Sequence, residues 1–311
     1  MSVAAVTGAN GFIGRRLCDQ MEREGWEVRR VVRRDFERGA VRDAFRGASV
    51  VVHAAGATRA PTVAELRSSN VDLTRRVVND ANEAGVDRFI FLSSQAAAGP
   101  APRRDAPVTE RQPPQPIEDY GRSKRDAEQV VASTCAGGWT VLRPASVYGP
   151  GDRDFLALFR LARHGVAIHP GNRAHWISIV HVDDLGRAVC AAATRDSARG
   201  ATAFVANDEP AQWAELFRIA AQASGRASAE LAIDFEVPGT LVRAAALVGD
   251  AAARLTGRAG LLTSGKVALS EAPYWICSNA QAKQLLGFQP EVELRDGFVD
   301  THRWYLEHGW L

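Results

Sequence analysis

The sequence predicts a doubly wound parallel α/β sheet followed by a smaller, mixed C-terminal substrate domain. Three observations predict it. Short β-rich runs alternate with helical segments through the first half of the chain. The run 50–55 reads as a continuous apolar segment, the mark of a strand buried on both faces. A glycine-rich turn, Thr7-Gly8-Ala9-Asn10-Gly11-Phe12-Ile13-Gly14, joins the first strand to the first helix.

The elements follow in order. Residues 3–7 read as a strand. Residues 12–24 place Phe12, Ile13, Leu17 and Met21 at helical spacing. Residues 27–32 predict a second strand, 50–55 a third, 63–84 a helix, 88–92 a strand, 118–133 a helix and 140–142 a strand. After Pro150 the rhythm loosens. Residues 155–164, 183–193 and 211–223 read as helices, with short strands near 177–180 and 203–205. Residues 239–255 form an Ala- and Leu-rich helix, and 283–286 and 295–307 read as helical. The expected division is a nucleotide-binding domain over 1–150 and a substrate-binding region over 151–311, with 177–206 returning to the core of the first. The proline-rich loop 99–116 reads as a surface segment.

Composition narrows the function. Apolar residues make up 46% and charged residues 24%, enough for a sizeable core, and the net charge of +2 carries no basic excess to favour nucleic acid. No apolar run approaches the ~20 residues of a membrane span, and the first apolar run has neither a charged leader nor a cleavage site. Cys18, Cys135, Cys190 and Cys277 are far apart and form no Cys-x-x-Cys pair. They read as small buried hydrophobes in a reducing compartment, which implies a cytoplasmic protein without disulfides or a metal site.

The glycine turn carries the first chemistry. Gly8 permits a tight turn, Gly11 lets the backbone approach a pyrophosphate, and Gly14 lets helix pack on strand. Phe12 and Ile13 open the helix, whose N-terminus offers free N–H groups to phosphates. A dinucleotide is the expected cofactor. At the end of the second strand Val32 is followed by Arg33 and Arg34, with no carboxylate before Asp35. Guanidinium groups suit a 2′-phosphate, so NADP is favoured over NAD.

Tyr120 and Lys124 lie four apart at the start of a predicted helix and share a face. An ammonium beside a phenol is expected to lower the phenol's pKa. The pair can then move a proton on or off a substrate oxygen while hydride passes to or from nicotinamide. Ser94, at the carboxyl end of the 88–92 strand, can hydrogen-bond the same oxygen. Only three lysines occur, Lys124, Lys266 and Lys283, against 35 arginines, so the lysine at 124 stands out.

With these residues in view, the chain resembles the extended short-chain dehydrogenase/reductases, the NAD-dependent epimerase/dehydratase family with its Rossmann-type sheet. The resemblance rests on the glycine turn, His53-Ala54-Ala55-Gly56, Asn70-Val71, Ser93-Ser94, Tyr120-Gly121-x-Ser123-Lys124, Leu142-Arg143-Pro144 with Val147-Tyr148-Gly149-Pro150, and His181-Val182-Asp183-Asp184-Leu185, all in family order. It implies Tyr120 as acid/base, Lys124 on the nicotinamide ribose and Ser94 on the substrate oxygen. It also implies Ala54, Ala55 and Gly56 lining the cofactor, Asn70 near it, and Pro144 and Val147 near the nicotinamide. A homodimer packed through helices 63–84 and 118–133 is a further implication.

Two departures qualify it. Only 17 residues separate Val32 from Val50, and they read mostly as one helix over 36–45, so the family's third, edge strand is expected to be missing. Ile177 stands where nucleotide-sugar epimerases of the family carry a diphosphate-binding arginine, although Arg173 is nearby. The segment Pro273-Tyr274-Trp275-Ile276 and the ending Trp304 to Leu311 resemble family members grouped with hydroxysteroid dehydrogenases, dihydroflavonol reductases and bacterial lipid ketoreductases, while the apolar helix 239–255 reads either as ordinary core packing or as a wall for a hydrophobic substrate. The expected function is therefore interconversion of a ketone and a secondary alcohol on a bulky, lipid-like small molecule. A nucleotide-sugar 4-epimerase or 4-reductase and a non-catalytic nucleotide-binding subunit are the alternatives.

Overall fold

The computed structural model describes residues 2–170, 173–226, 231–256, 267 and 272–311. Its main sheet is built from β1 (Val3–Thr7), β2 (Glu27–Val31), β3 (Val50–His53), β4 (Arg88–Leu92) and β5 (Gly138–Pro144). Further on come β6 (Ser146–Tyr148), β7 (Val166–Pro170), β8 (Trp176–Ile177), β9 (Ile179–His181) and β10 (Ala201–Val205). The last of these joins the main sheet as its sixth strand, giving the order β10-β5-β4-β3-β1-β2 with every pair parallel. The chain leaves β1 for β2 on one side and then crosses to β3 on the other. The carboxyl ends of β1 and β3 therefore bound the crevice where such sheets bind ligands.

Alternation along the strands sorts their side chains into two layers. Ala4, Val6, Val50, Val52, Ile90 and Leu92 pack on α1 (Phe12–Arg23) and on a later helix over Val182–Thr194. Ala5, Val51, Phe89 and Phe91 face the other way, toward Phe45, Val77, Val78, Ala127 and Val131. β2 is the edge. Residues 33–49 fold as α2 (Arg33–Arg38) and α3 (Val41–Phe45), so among the described residues no strand lies beyond it. The single helix expected over 36–45 is divided because Gly39 takes a left-handed conformation, φ 69°, and ends α2. The helix expected over 63–84 is continuous but not uniform: α4 (Val63–Arg67) passes through a wide π turn at Ser68–Asp72 into α5 (Leu73–Glu83).

Next comes α6 (Asp119–Thr134), which packs beside α5 on the same face of the sheet. Of the remaining elements, α8 (Val182–Thr194) and α11 (Ala280–Leu286) pack in the core under the main sheet, and the C-terminal lobe assembles α7 (Leu156–Ala162), α9 (Trp213–Ala223), β11 (Ala211–Gln212), β12 (Ile233–Val237), α10 (Gly239–Thr256), β13 (Tyr274–Trp275) and α12 (Leu294–Glu307). An aromatic core of Tyr148, Phe155, Phe159, Phe217, Phe298 and Tyr305 joins α7, α9 and α12. The strand expected near 177–180 is two short ones. β8 pairs with β11 and β13, and β9 pairs with β6, because the chain changes sheets at Ser178. No helix among the described residues is long and apolar enough to cross a membrane.

Candidate active site

The turn after β1 forms a tight cradle. Gly8 has φ +72°, and a Cβ there would lie 2.8 Å from Ala55 N. A Cβ at Gly14 would lie 2.1 Å from Gly8 O. Only glycine lets the turn, the start of α1 and the Ala54-Ala55 segment meet this closely. Gly11 is the N-cap of α1. No side chain caps that end and no acidic residue occupies the first turn, so the N–H groups of Phe12, Ile13 and their neighbours are left to an anion. The helix α6, by contrast, is capped by Glu118, which accepts from Tyr120 N at 2.7 Å and Gly121 N at 2.5 Å. The residues at the β1 turn thus fit the pyrophosphate of a dinucleotide.

A buried polar chain ties the cradle to α6. Ala55 N donates to Thr7 Oγ1 at 3.3 Å. Thr7 Oγ1 meets His53 Nδ1 at 2.7 Å, and His53 Nε2 meets Thr74 Oγ1 at 3.1 Å. Thr74 donates to Asn70 O at 2.5 Å, inside the π turn. The Asn70 amide donates to Ala57 O at 2.9 Å and Ser123 Oγ at 2.8 Å, and its Oδ1 accepts from Ala57 N at 2.8 Å. Ser123 in turn donates to Tyr120 O at 2.7 Å. Burial, followed by the Lys124 charge, pulls the His53 pKa down to about 3, so the imidazole is neutral.

Ser94, Tyr120 and Lys124 come together at the carboxyl end of β4. Ser94 Oγ lies beside the Tyr120 phenol and accepts from Ala96 N at 3.1 Å. The Lys124 ammonium donates to Leu92 O at 2.6 Å, sits 4.3 Å over the Phe91 ring and faces Gly56. Burial raises the Tyr120 pKa to about 12, Glu118 and Asp154 add to this, and the neighbouring Ser94 hydroxyl opposes it. Burial lowers the Lys124 pKa to about 8, opposed by Glu128. The expectation that Lys124 depresses the phenol is corrected here. The ammonium is engaged by a backbone carbonyl, and desolvation governs the phenol, which stays protonated at neutral pH.

Pro144 and Val147 follow on β5 and β6, beside Ala145, whose N–H donates to Val205 O at 2.9 Å. Arg33 and Arg34 stand apart from the triad, exposed in the first turn of α2; Arg33 is 94% exposed and pairs with Glu37 at 3.5 Å. The nearest carboxylate, Asp35, is occupied as a cap, accepting from Val32 N at 2.7 Å. Among the described residues no cluster of His, Cys, Asp or Glu could hold a metal. Sequence reasoning missed Glu128. Its one signal was position: a carboxylate four residues after Lys124, opposite the arginine of Leu142-Arg143-Pro144.

Comparison with known proteins agrees with this geometry. The NAD dependent epimerase/dehydratase family model matches residues 4–206. A ceramide reductase of Caulobacter vibrioides is 31% identical over 99% of this chain and 96% of its own length. A UDP-glucose 4-epimerase of Vibrio cholerae is 25% identical over 97% of this chain and 95% of its own length. The crystal structure of gox2253 superposes with a TM-score of 0.79 at 25% identity, covering 100% of both chains.

Proposed function

The chain belongs to the NAD-dependent epimerase/dehydratase family, as an NAD(P)-dependent oxidoreductase or epimerase, and from that premise we propose that it reduces a ketone on a bulky apolar substrate to a secondary alcohol. The observation that carries this reading is the Tyr120 phenol placed beside Ser94 at the mouth of the cofactor crevice, with burial pushing its pKa up. A neutral phenol at physiological pH is a proton donor, the role that ketone reduction requires. In this reading the substrate oxygen lies between Ser94 Oγ and the phenol. Ser94 donates a hydrogen bond to it, and Tyr120 delivers its proton as negative charge develops there. When bound, NAD(P)H supplies the hydride for the carbonyl carbon. Gly8, Gly11, Phe12, Ile13 and Gly14 would hold its pyrophosphate, Lys124 its nicotinamide ribose, and Ala54, Ala55, Gly56, Asn70, Pro144 and Val147 the walls around it. Arg33, with Arg34, would meet a 2′-phosphate.

An apolar substrate is supported by the ceramide reductase relative and by the exposed Leu241, Leu247 and Val248 of α10. The epimerase alternative has less support. Ile177 offers no phosphate ligand, and Arg173 is already engaged by Glu236 at 3.1 Å and Asp234 at 3.6 Å. A cytoplasmic homodimer packed through α4–α5 and α6 belongs to the same reading; the four unpaired cysteines are consistent with a reducing compartment.

The test uses a long-chain N-acyl amino ketone with NADPH or NADH. Tyr120→Phe should lower kcat by about a thousandfold and leave NADPH affinity within twofold. Turnover surviving in that variant would sink the proton-donor role. Stoichiometric NAD retained through purification, with interconversion of UDP-sugars, would replace reductase with epimerase.

A further inference from the structure

Three residues one turn apart on α6 face three consecutive residues at the end of β4. Tyr120 lies beside Ser94, Lys124 donates to Leu92 O at 2.6 Å, and Glu128 accepts from Ser93 Oγ. The first two belong to the reaction proposed above; the third has no assigned part in it. Glu128 is buried, and its carboxylate is gripped by Arg143 of β5 through Nε to Oε1 at 2.9 Å and Nη2 to Oε2 at 2.6 Å. The Arg143 guanidinium lies 5.4 Å over the Phe204 ring of β10, and Ser93 N donates to Leu142 O at 2.8 Å. A buried ion pair is costly to assemble and often no more stabilising than apolar residues of the same volume. Stability alone is a weak account of one placed here.

Resting on the reductase reading, we propose that Glu128 is a positioning residue for the reaction: through Ser93 it fixes the backbone that carries Ser94, and one helical turn from Lys124 it holds a buried negative charge beside that side chain. The charged and titratable groups facing Lys124 are few. On α6 they are Tyr120 and Glu128; from β3 comes His53, neutral by burial; from β5 Arg143 lies beyond Glu128. Burial disfavours the ammonium, and Glu128 is the group that opposes it. A neutral Lys124 would lose its charge for the cofactor ribose, and a free Ser93 would let Ser94 drift from the phenol.

The test exploits the chain's three lysines. Lysine labelled with 13C at Cε gives three signals, and Lys124→Met identifies the one at 124. Glu128→Gln alone strands a buried guanidinium, so it is combined with Arg143→Met, which removes both charges. In the full chain carrying both changes, the Lys124 titration midpoint should fall by about one pH unit. With NADPH and the long-chain N-acyl amino ketone, kcat should fall about tenfold while NADPH affinity stays within twofold. Ser93→Ala isolates the other arm: kcat should fall several-fold with the Lys124 midpoint unmoved. An unchanged midpoint in the double variant overturns the electrostatic role. Unchanged kcat in Ser93→Ala overturns the positioning role. The midpoint is read without substrate, so it stands or falls separately from the reductase reading, whose own failure appears as turnover in Tyr120→Phe.

Discussion

Helices α6 and α10 break the same rule in opposite directions. On α6 the residues Ser123, Lys124 and Glu128 are polar and buried, at 1%, 5% and 8% exposure. On α10 the residues Leu241, Leu247 and Val248 are apolar and exposed, at 61%, 66% and 70%. The polar groups of α6 are tolerated because each has partners, and the partners belong to the proposed site. The buried face of α10 is thin among the described residues: Val242 and Ala246 meet Val267 and Val237. The contrast teaches where specification comes from. Around α6 the site is fixed by closed hydrogen-bond chains that a single change can open. Around α10 there is apolar area and little geometry, so changes there should alter affinity more than architecture.

The largest effect expected from this contrast is acid sensitivity of the α6 side. His53 is held neutral with its pKa near 3, below the 6.5 of an unperturbed imidazole. The unfolded chain therefore binds one proton more than the folded chain between those values, and stability falls as pH drops through that window. The slope is about 1.4 kcal/mol per pH unit for this one group. Urea denaturation at pH 7, 6 and 5 should show the loss, and His53→Asn should flatten the curve by one proton. Equal slopes in the two proteins would mean that the imidazole is not locked neutral, and the chain from Thr7 to Asn70 would lose its central link.

Legibility in the sequence divides along the same line. The strands of the main sheet, α1 and α6 announce themselves by period and by the glycine turn, because each is long enough to show its period. The three catalytic candidates also follow from local spacing. β6, β8, β11 and β13 are two or three residues long and carry no period, and β7 and β12 find each other only through tertiary pairing. The π turn at Ser68–Asp72 leaves no propensity signal, although it presents Asn70 to Ala57 and Ser123. The pairing of Glu128 with Arg143 shows only once the sheet places β5 beneath α6. The direction of the Tyr120 shift is hidden in the same way: spacing reveals that an ammonium is near, but only the fold reveals that the phenol is buried.

Arg33 offers a smaller effect and a cleaner discrimination. It is exposed beyond the sheet edge, its present partner is Glu37, and Asp35 is committed to its own helix cap. Arg33→Ala should raise the NADPH KM about tenfold, the equivalent of one charge-assisted contact. The NADH KM should stay within twofold. Equal effects on both cofactors would remove the 2′-phosphate assignment and leave Arg33 a surface charge.

The smallest expected effect lies on α10, where it tests the other half of the contrast. Leu247 and Val248 already face water, so replacing both with glutamine removes little that folding gained. Glutamine is also a good helix former, and unfolding free energy should change by no more than about 0.5 kcal/mol. Affinity for a long acyl chain is another matter. Each methylene kept from water is worth about 0.8 kcal/mol, so losing even one such contact should raise the KM for the long-chain N-acyl amino ketone about fourfold. A short-chain ketone reduced by the same enzyme supplies the control, because it cannot reach that surface and its KM should not move. If both substrates weaken alike, the change has travelled to the triad and α10 is coupled to it structurally. If neither weakens, the exposed apolar face of α10 does not receive the substrate, and selectivity for bulky ketones must arise nearer Ser94 and Tyr120.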